Sequence, residues 1–189
     1  MRWTSLFSSS MQREIILGTS YSLSFRILGI CMSYLFTWYA SRYIGLAAYG
    51  VFSVLFALLQ VSGKFSRMGF DKAAMKYIAE ARTEKSRKEG EWYFSALLPI
   101  LVLTSLTGLV FVLFRFQIAE LFFDAMDQSF AIGVLGGLLP VLGIFNLNVW
   151  SLKGMKCIRS FSFFDNAGLF TLASLFLFST VLLDIEGNN

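Results

Sequence analysis

The chain has 189 residues, of which 56% are hydrophobic, 17% aromatic and 15% charged, with a net charge of +4. A soluble domain carries nearer a quarter charged residues, so the composition argues against one and for a membrane protein. There is no histidine, no Cys, Asp or Glu cluster at metal-ligand spacing and no GxxxxGK[ST] loop; with the usual means of metal, acid–base and ATP chemistry missing, neither enzymatic activity nor a cofactor is expected.

Residues 1–15 read as an N-terminal segment. Met1–Ser10 has no uninterrupted apolar run before a small-residue cleavage site, so it is not a secretory signal. Met11-Gln12-Arg13-Glu14, directly before the first apolar stretch, is a second candidate start of translation. The first stretch, Ile16–Tyr39, reaches the roughly 20 apolar residues that a membrane helix needs. Arg26 lies about ten residues into it, roughly 15 Å deep. A central Arg costs roughly 2.5–3.5 kcal/mol on insertion scales, whereas each Leu, Ile or Phe returns about 0.3–0.6. Such a residue normally faces a bundle interior or an aqueous cavity. Thr19, Ser22, Arg26, Gly29, Ser33 and Thr37 recur at helical spacing as one polar or small stripe, flanked by Leu23, Ile27, Ile30 and Tyr34. Two readings of Arg26 stay open: a cation lining a cavity, or a side chain satisfied by carbonyls or by Asn146 or Asn148 of another span.

A short connection, Ala40–Ala48, carries Arg42 and Gly45 and leads to the second stretch, Tyr49–Gly63. This stretch is short, and the Lys64 and Arg67 that follow are placed to snorkel to the interface. Tyr49, Ser53, Gln60, Lys64 and Arg67 lie near one face, a second cation-bearing stripe. Residues 64–91 form the longest connection. Within it Met75, Ile78 and Ala79 fall at i, i+3, i+4, with Lys72, Lys76 and Arg82 on other faces, which suits either a helix lying at the interface or a solvated extension of span two.

Trp92–Phe114 and Phe130–Trp150 are the third and fourth stretches, interrupted by Pro99 and Pro140. Membrane helices tolerate proline where neighbours satisfy the freed carbonyl. Between them, Ile118, Leu121 and Phe122 suggest a short half-embedded helix. Gly133-x-x-x-Gly137, with Gly136 and Gly143 beside it, signals close helix approach. After the basic connection Lys153–Ser162, Phe163–Leu183 is the fifth stretch, which Asp165 and Asn166 would cap. Residues 184–189 form a tail in which Asp184 and Glu186 are solvated. Cys31 and Cys157 fall at different levels, so no disulfide is expected.

Five crossings make the connections alternate sides. The N-terminus and the second and fourth connections then hold 13 of the 16 Lys and Arg, the other side only Arg42 and Arg115, and Arg26 lies within a span. Short loops rich in Lys and Arg stay cytoplasmic. The expected fold is therefore an all-α membrane protein of about five transmembrane helices, N-terminus inside and C-terminal tail outside. This topology accounts for the basic charge, and no RNA-binding or recognition-helix pattern points to a nucleic-acid partner.

Arg42-x-x-Gly45, Tyr49-Gly50-x-Phe52, Gly69-Phe70-Asp71-x-Ala73-Ala74 and Lys76-Tyr77-Ile78-Ala79 follow one another in order. This run resembles the N-terminal part of the polysaccharide flippases, the Wzx-type transporters of the multidrug/oligosaccharidyl-lipid/polysaccharide exporter superfamily. Lys76 stands where that family often has Arg. The motifs cover about a fifth of the chain. The resemblance implies flipping of an undecaprenyl-diphosphate-linked oligosaccharide across the bacterial inner membrane for O-antigen or polysaccharide export. It also implies alternating access between two six-helix lobes around a cationic cavity, with the lipid-linked diphosphate, the bilayer and other membrane proteins of polysaccharide assembly as partners. Arg26 is the candidate cavity cation, followed by Lys64 and Arg67, with Thr19, Ser22, Ser33 and Gln60 as polar lining. No intramembrane carboxylate marks a coupling-ion site. The family has twelve or more spans, so a chain of five is expected to be an incomplete N-terminal lobe. Alternatives are a non-transporting membrane remnant, an interaction subunit, or a drug/cation antiporter of the same superfamily.

Overall fold

The computed structural model describes residues 9–83, 89–123, 126–168 and 171–174. Among the described residues every regular element is helical: α1 (Ser9–Tyr43), α2 (Leu46–Arg67), α3 (Phe70–Thr83), α4 (Glu89–Leu113), α5 (Arg115–Phe123), a single 3₁₀ turn (Met126–Gln128), α6 (Ser129–Gly154), α7 (Ile158–Ser162) and a π-helical turn (Phe163–Gly168). Among the described residues four helices are long and apolar enough to cross a membrane, at Ile16–Tyr43, Leu46–Arg67, Gly90–Leu113 and Ser129–Gly154. The second is longer than its apolar run suggested. It continues through Lys64 to Arg67, and its 22 residues span about 33 Å at about 1.5 Å per residue. Of the expected fifth span, residues 163–168 and 171–174 are helical. The rest of it, the tail 184–189, residues 1–8, and the Lys85, Ser86, Arg87 and Lys88 part of the second connection lie outside the described residues. The chain divides into two compact units, Met1–Tyr43 with Cys157–Asn189, and Ile44–Lys156.

In the Ile44–Lys156 unit α6 is the central helix, packed by α2, α3, α4 and α5. It runs antiparallel to α4, since Gly108 meets Gly136, Thr104 meets Gly143, and the Tyr93 hydroxyl donates to Asn148 Oδ1 at 2.8 Å. The closest approach is between two glycines. A Cβ on Gly108 would run into the Gly136 carbonyl oxygen, and one on Gly136 into the Gly108 carbonyl. Each glycine thus turns an α-hydrogen toward the other's carbonyl, a weak Cα–H···O pairing typical of helix interfaces. Pro140 has no N–H and frees the Gly136 carbonyl, four residues before it; the neighbouring helix covers the freed group. The expected Gly133–Gly137 pair is not the packing pair. Among the described residues a Cβ at Gly137 would meet nothing within 4 Å and one at Gly133 only the Arg115 side chain. Gly136 and Gly143, two turns apart and on one face, make the contact with α4.

The long second connection contains a separate helix, not an extension of α2. Met68 and Gly69 both have positive φ, 46° and 86°, which ends α2 and turns the chain into α3. The α3 face bearing Asp71, Ala74, Ile78 and Ala81 is buried. Ala74 and Ile78 join Ala96, Ile100 and Leu147 in one core cluster, and Gly154 lets α6 pass close to the Met75 carbonyl. A second cluster joins Leu59 of α2 to Leu135 and Leu139 of α6. The outward face is apolar, with Leu46, Leu98, Phe94 and Val141 exposed, as expected of helices meeting lipid tails. Cations gather at one end of this unit. Lys72 and Lys153 both lie over Trp150, while Arg115 sits by Gly133 toward the other end of α6. Asn146 Nδ2 donates to the Leu142 carbonyl, so both Asn146 and Asn148 have partners close by.

In the other unit α1 packs on α7 and the π-helical turn. Gly18 faces Ile158, Phe25 meets Phe163 edge-on at 5.6 Å, Gly29 meets the Asn166 carbonyl, and Ser174 Oγ donates to the Met32 carbonyl at 3.4 Å. These α1 residues recur at seven-, four- and three-residue spacing, which defines one packing face. Neither Cys31 nor Cys157 is in a disulfide among the described residues.

Candidate functional site

The polar stripe of α1 lies beside this packing face and shares Gly29 with it. At about 100° per residue, Arg26 and Ser33 are rotated by roughly a quarter turn from the contact, so they border it. A cleft of about 300 Å³ opens there, lined by Arg26, Ile30, Ser33, Tyr34, Asp165 and Asn166. Arg26 is exposed to it and, among the described residues, makes no hydrogen bond or ion pair. Ser33 is half-buried. Opposite stands the π-helical turn. Asn166 Nδ2 donates to the Ser162 carbonyl at 3.0 Å, which leaves its side-chain carbonyl unspent on that bond. A π turn closes i→i+5 bonds, is wider than an α turn, and often marks functional sites. Here it carries Asp165 and Asn166 to the cleft. They do not cap a fifth span, because the helical run begins at Ile158, before them. Periodicity assumes a uniform 3.6-residue turn, so it could not place these two side chains.

The cleft thus offers one guanidinium and a hydroxyl near the middle of an apolar helix, with an amide and one carboxylate across from them. That set can hold an anionic oxygen group through a charge-assisted, bidentate contact. Of the stripe, only Arg26, Gly29 and Ser33 line it. Thr19 is exposed and Ser22 half-buried earlier on α1. Gln60, Lys64 and Arg67 belong to α2 in the second unit. Gln60 is half-buried and Lys64 exposed. Arg67 is buried beside Asp71, with Nε 3.2 Å from Oδ2; that N–H is not aimed at the oxygen, so the contact is an ion pair and not a hydrogen bond. Among the described residues no group of three or more Cys, Asp or Glu is placed to hold a metal ion.

The motif residues have mostly conformational roles. Gly45 has φ of 94°, and its carbonyl accepts the Tyr49 N–H at 3.0 Å, opening α2. Arg42 lies over the Trp38 ring at 5.8 Å. Gly69 supplies the left-handed turn into α3, Asp71 holds Arg67, Lys76 pairs with Glu80 at 3.8 Å, and Tyr77 stacks on Trp92 at 4.6 Å. Gly50 has open space where a Cβ would stand, and nothing in the structure explains it.

The family model described as polysaccharide biosynthesis protein matches residues 15–183. The chain belongs to this family. As a polysaccharide biosynthesis protein with four helices fit to cross a bilayer among the described residues, it is a multi-pass membrane protein with a transport role in polysaccharide biosynthesis or export. No curated protein and no solved structure matches the chain.

Proposed function

We propose that the chain serves the flipping of a lipid-linked oligosaccharide, carried on undecaprenyl diphosphate, across the bacterial inner membrane, as Wzx-type transporters do. The observation that carries this reading is Arg26: a cation near the middle of an apolar helix, open to a cleft with Ser33 and Asn166 and without a hydrogen bond or ion pair among the described residues. A charge in the middle of an apolar helix is retained where it has a partner to meet, and a diphosphate supplies one. The N-terminus would lie on the cytoplasmic side. The test is complementation of a strain lacking its own flippase, using the full coding sequence and reading surface polysaccharide. Arg26→Ala is expected to abolish export, and Arg26→Lys to restore part of it, since Lys keeps the charge but not the fork. Full export by Arg26→Ala, with the protein present at wild-type level, would sink the reading.

A second reading has its own observation, Asp165 on the same cleft. A carboxylate there favours a cation or a cationic drug as cargo, as in an antiporter of the wider superfamily. Under it Asp165→Asn abolishes transport while Arg26→Ala is tolerated, the reverse of the order expected for a diphosphate.

A further inference from the structure

The last turns of α1 carry three aromatic rings and a guanidinium on two adjoining rows. Residues four apart on a helix are neighbours, and both rows are paired. The Arg42 guanidinium lies over the Trp38 ring at 5.8 Å, and Tyr39 stacks on Tyr43 at 5.1 Å with 23° between the ring planes. Among the described residues these four side chains line a cleft of about 440 Å³, within the range of roughly 300–1,000 Å³ usual for small-molecule sites. Trp38 is 60% and Tyr43 54% exposed, so ring surface stays open after the pairing. The cation–π contact uses no oxygen acceptor. Arg42 makes no hydrogen bond or ion pair among the described residues, so its N–H donors remain available. The cleft lies roughly 24 Å along α1 from Arg26, at about 1.5 Å per residue, and is a separate site.

We propose that this cleft binds a pyranose ring of the cargo's glycan. One face of a pyranose presents C–H groups and is apolar, while hydroxyls surround its edge. The negative face of an aromatic ring attracts such C–H groups, and the guanidinium and phenol hydroxyls serve the sugar hydroxyls. An anion would find a single cation here, and an acyl chain would leave Arg42 without a partner. Tryptophan and tyrosine also favour the membrane interface, but anchoring there asks neither for rings stacked on each other nor for a guanidinium over one of them. Membership of a polysaccharide biosynthesis family makes sugar the chemistry at hand. The inference rests on the sugar-bearing cargo proposed above and adds where on this chain the glycan is held, apart from the diphosphate.

The test is saturation-transfer NMR on the purified full chain, in a detergent without a sugar headgroup. The probe is the repeat-unit oligosaccharide released by mild acid from the lipid carrier of the strain that encodes the chain. Saturation of the protein's aromatic protons is expected to reach the ring C–H protons of the sugar. Trp38→Leu should weaken binding roughly tenfold, the factor that about 1.4 kcal/mol of aromatic contact carries, and Trp38→Phe should restore most of it by keeping a ring face. Tyr21→Leu removes an α1 ring that has Arg159 above it at 5.9 Å but lies off the cleft, and should change nothing. Unchanged binding in Trp38→Leu and Tyr43→Leu overturns the site. Equal losses in Tyr21→Leu would mean general adhesion to interfacial rings and overturn it as well. Displacement of the oligosaccharide by millimolar inorganic diphosphate would make Arg42 an anion site instead. If Arg26→Ala abolishes export but the glycan makes no contact at Trp38, this site alone fails. If the glycan binds at Trp38 and Arg26→Ala exports fully, the diphosphate reading alone fails.

Discussion

Arg67 Nε stands 3.2 Å from Asp71 Oδ2 across the break between α2 and α3, with both side chains buried. The pair bridges a turn in which Met68 and Gly69 take left-handed conformations. Gly63 leaves room for the guanidinium one turn earlier, and Leu139 of α6 packs beside the same glycine. Asp71 Oδ1 also accepts the Lys72 N–H at 2.9 Å, so the carboxylate ties down the first turn of α3. The Gly69-Phe70-Asp71 motif is thereby a hinge-fixing element.

Removing one partner of such a pair leaves a buried charge uncompensated, at a cost of about 3–5 kcal/mol. Asp71→Ala is therefore expected to lower the melting temperature in detergent strongly. The double variant Arg67→Met/Asp71→Ala should recover much of the loss, because it leaves no orphan charge. Equal melting of Asp71→Ala and wild type would show that the pair contributes nothing.

The α4–α6 contact makes a sharp comparison between adjacent glycines. Gly136→Ala puts a methyl against the Gly108 carbonyl and should destabilise by about 1–3 kcal/mol, as overpacking does. Gly137→Ala faces open space and should be neutral or slightly stabilising, since Ala is the better helix former. Thermal unfolding of the two purified variants distinguishes them, and the reverse order would overturn the described packing.

The sorted charges predict which side of the membrane each loop takes. In a background with Cys31 and Cys157 replaced by Ser, Thr83→Cys at the end of α3 should resist a membrane-impermeant thiol reagent added outside cells. Asp127→Cys, before α6, should react with it. Both residues are exposed, so accessibility within the protein does not limit either. Labelling of Thr83→Cys from outside would invert the topology.

The positions of the four described spans were legible because hydropathy accumulates along the chain: a run of some twenty apolar residues fits one bilayer thickness whatever it packs against. The end of span two was not, because Lys64 and Arg67 interrupt the apolar run while the helix continues beneath them. Each loop's Lys and Arg content is local in the same way, and the sidedness it predicts is what the labelling experiment measures.

Pairing between helices was a different matter. Gly133 and Gly137 match the close-approach motif as well as any residues in α6, yet Gly136 and Gly143 make the contact, because helix rotation about its axis decides which glycine faces α4. Arg67 read as one of two equivalent interfacial cations with Lys64; only the turn at Met68–Gly69 brings Asp71 back to it and separates a buried ion pair from an exposed lysine. Arg26 could be singled out from its place inside an apolar run alone. Its neighbours across the cleft, Asp165 and Asn166, could not, because the wider π turn shifts the helical register that periodicity assumes. By itself the sequence determined what is additive along the chain: where its apolar runs lie, where its charges lie and which charge falls inside an apolar run. The tertiary structure decided what depends on helix rotation and turn geometry: which glycines touch, which cation is neutralised and what faces Arg26.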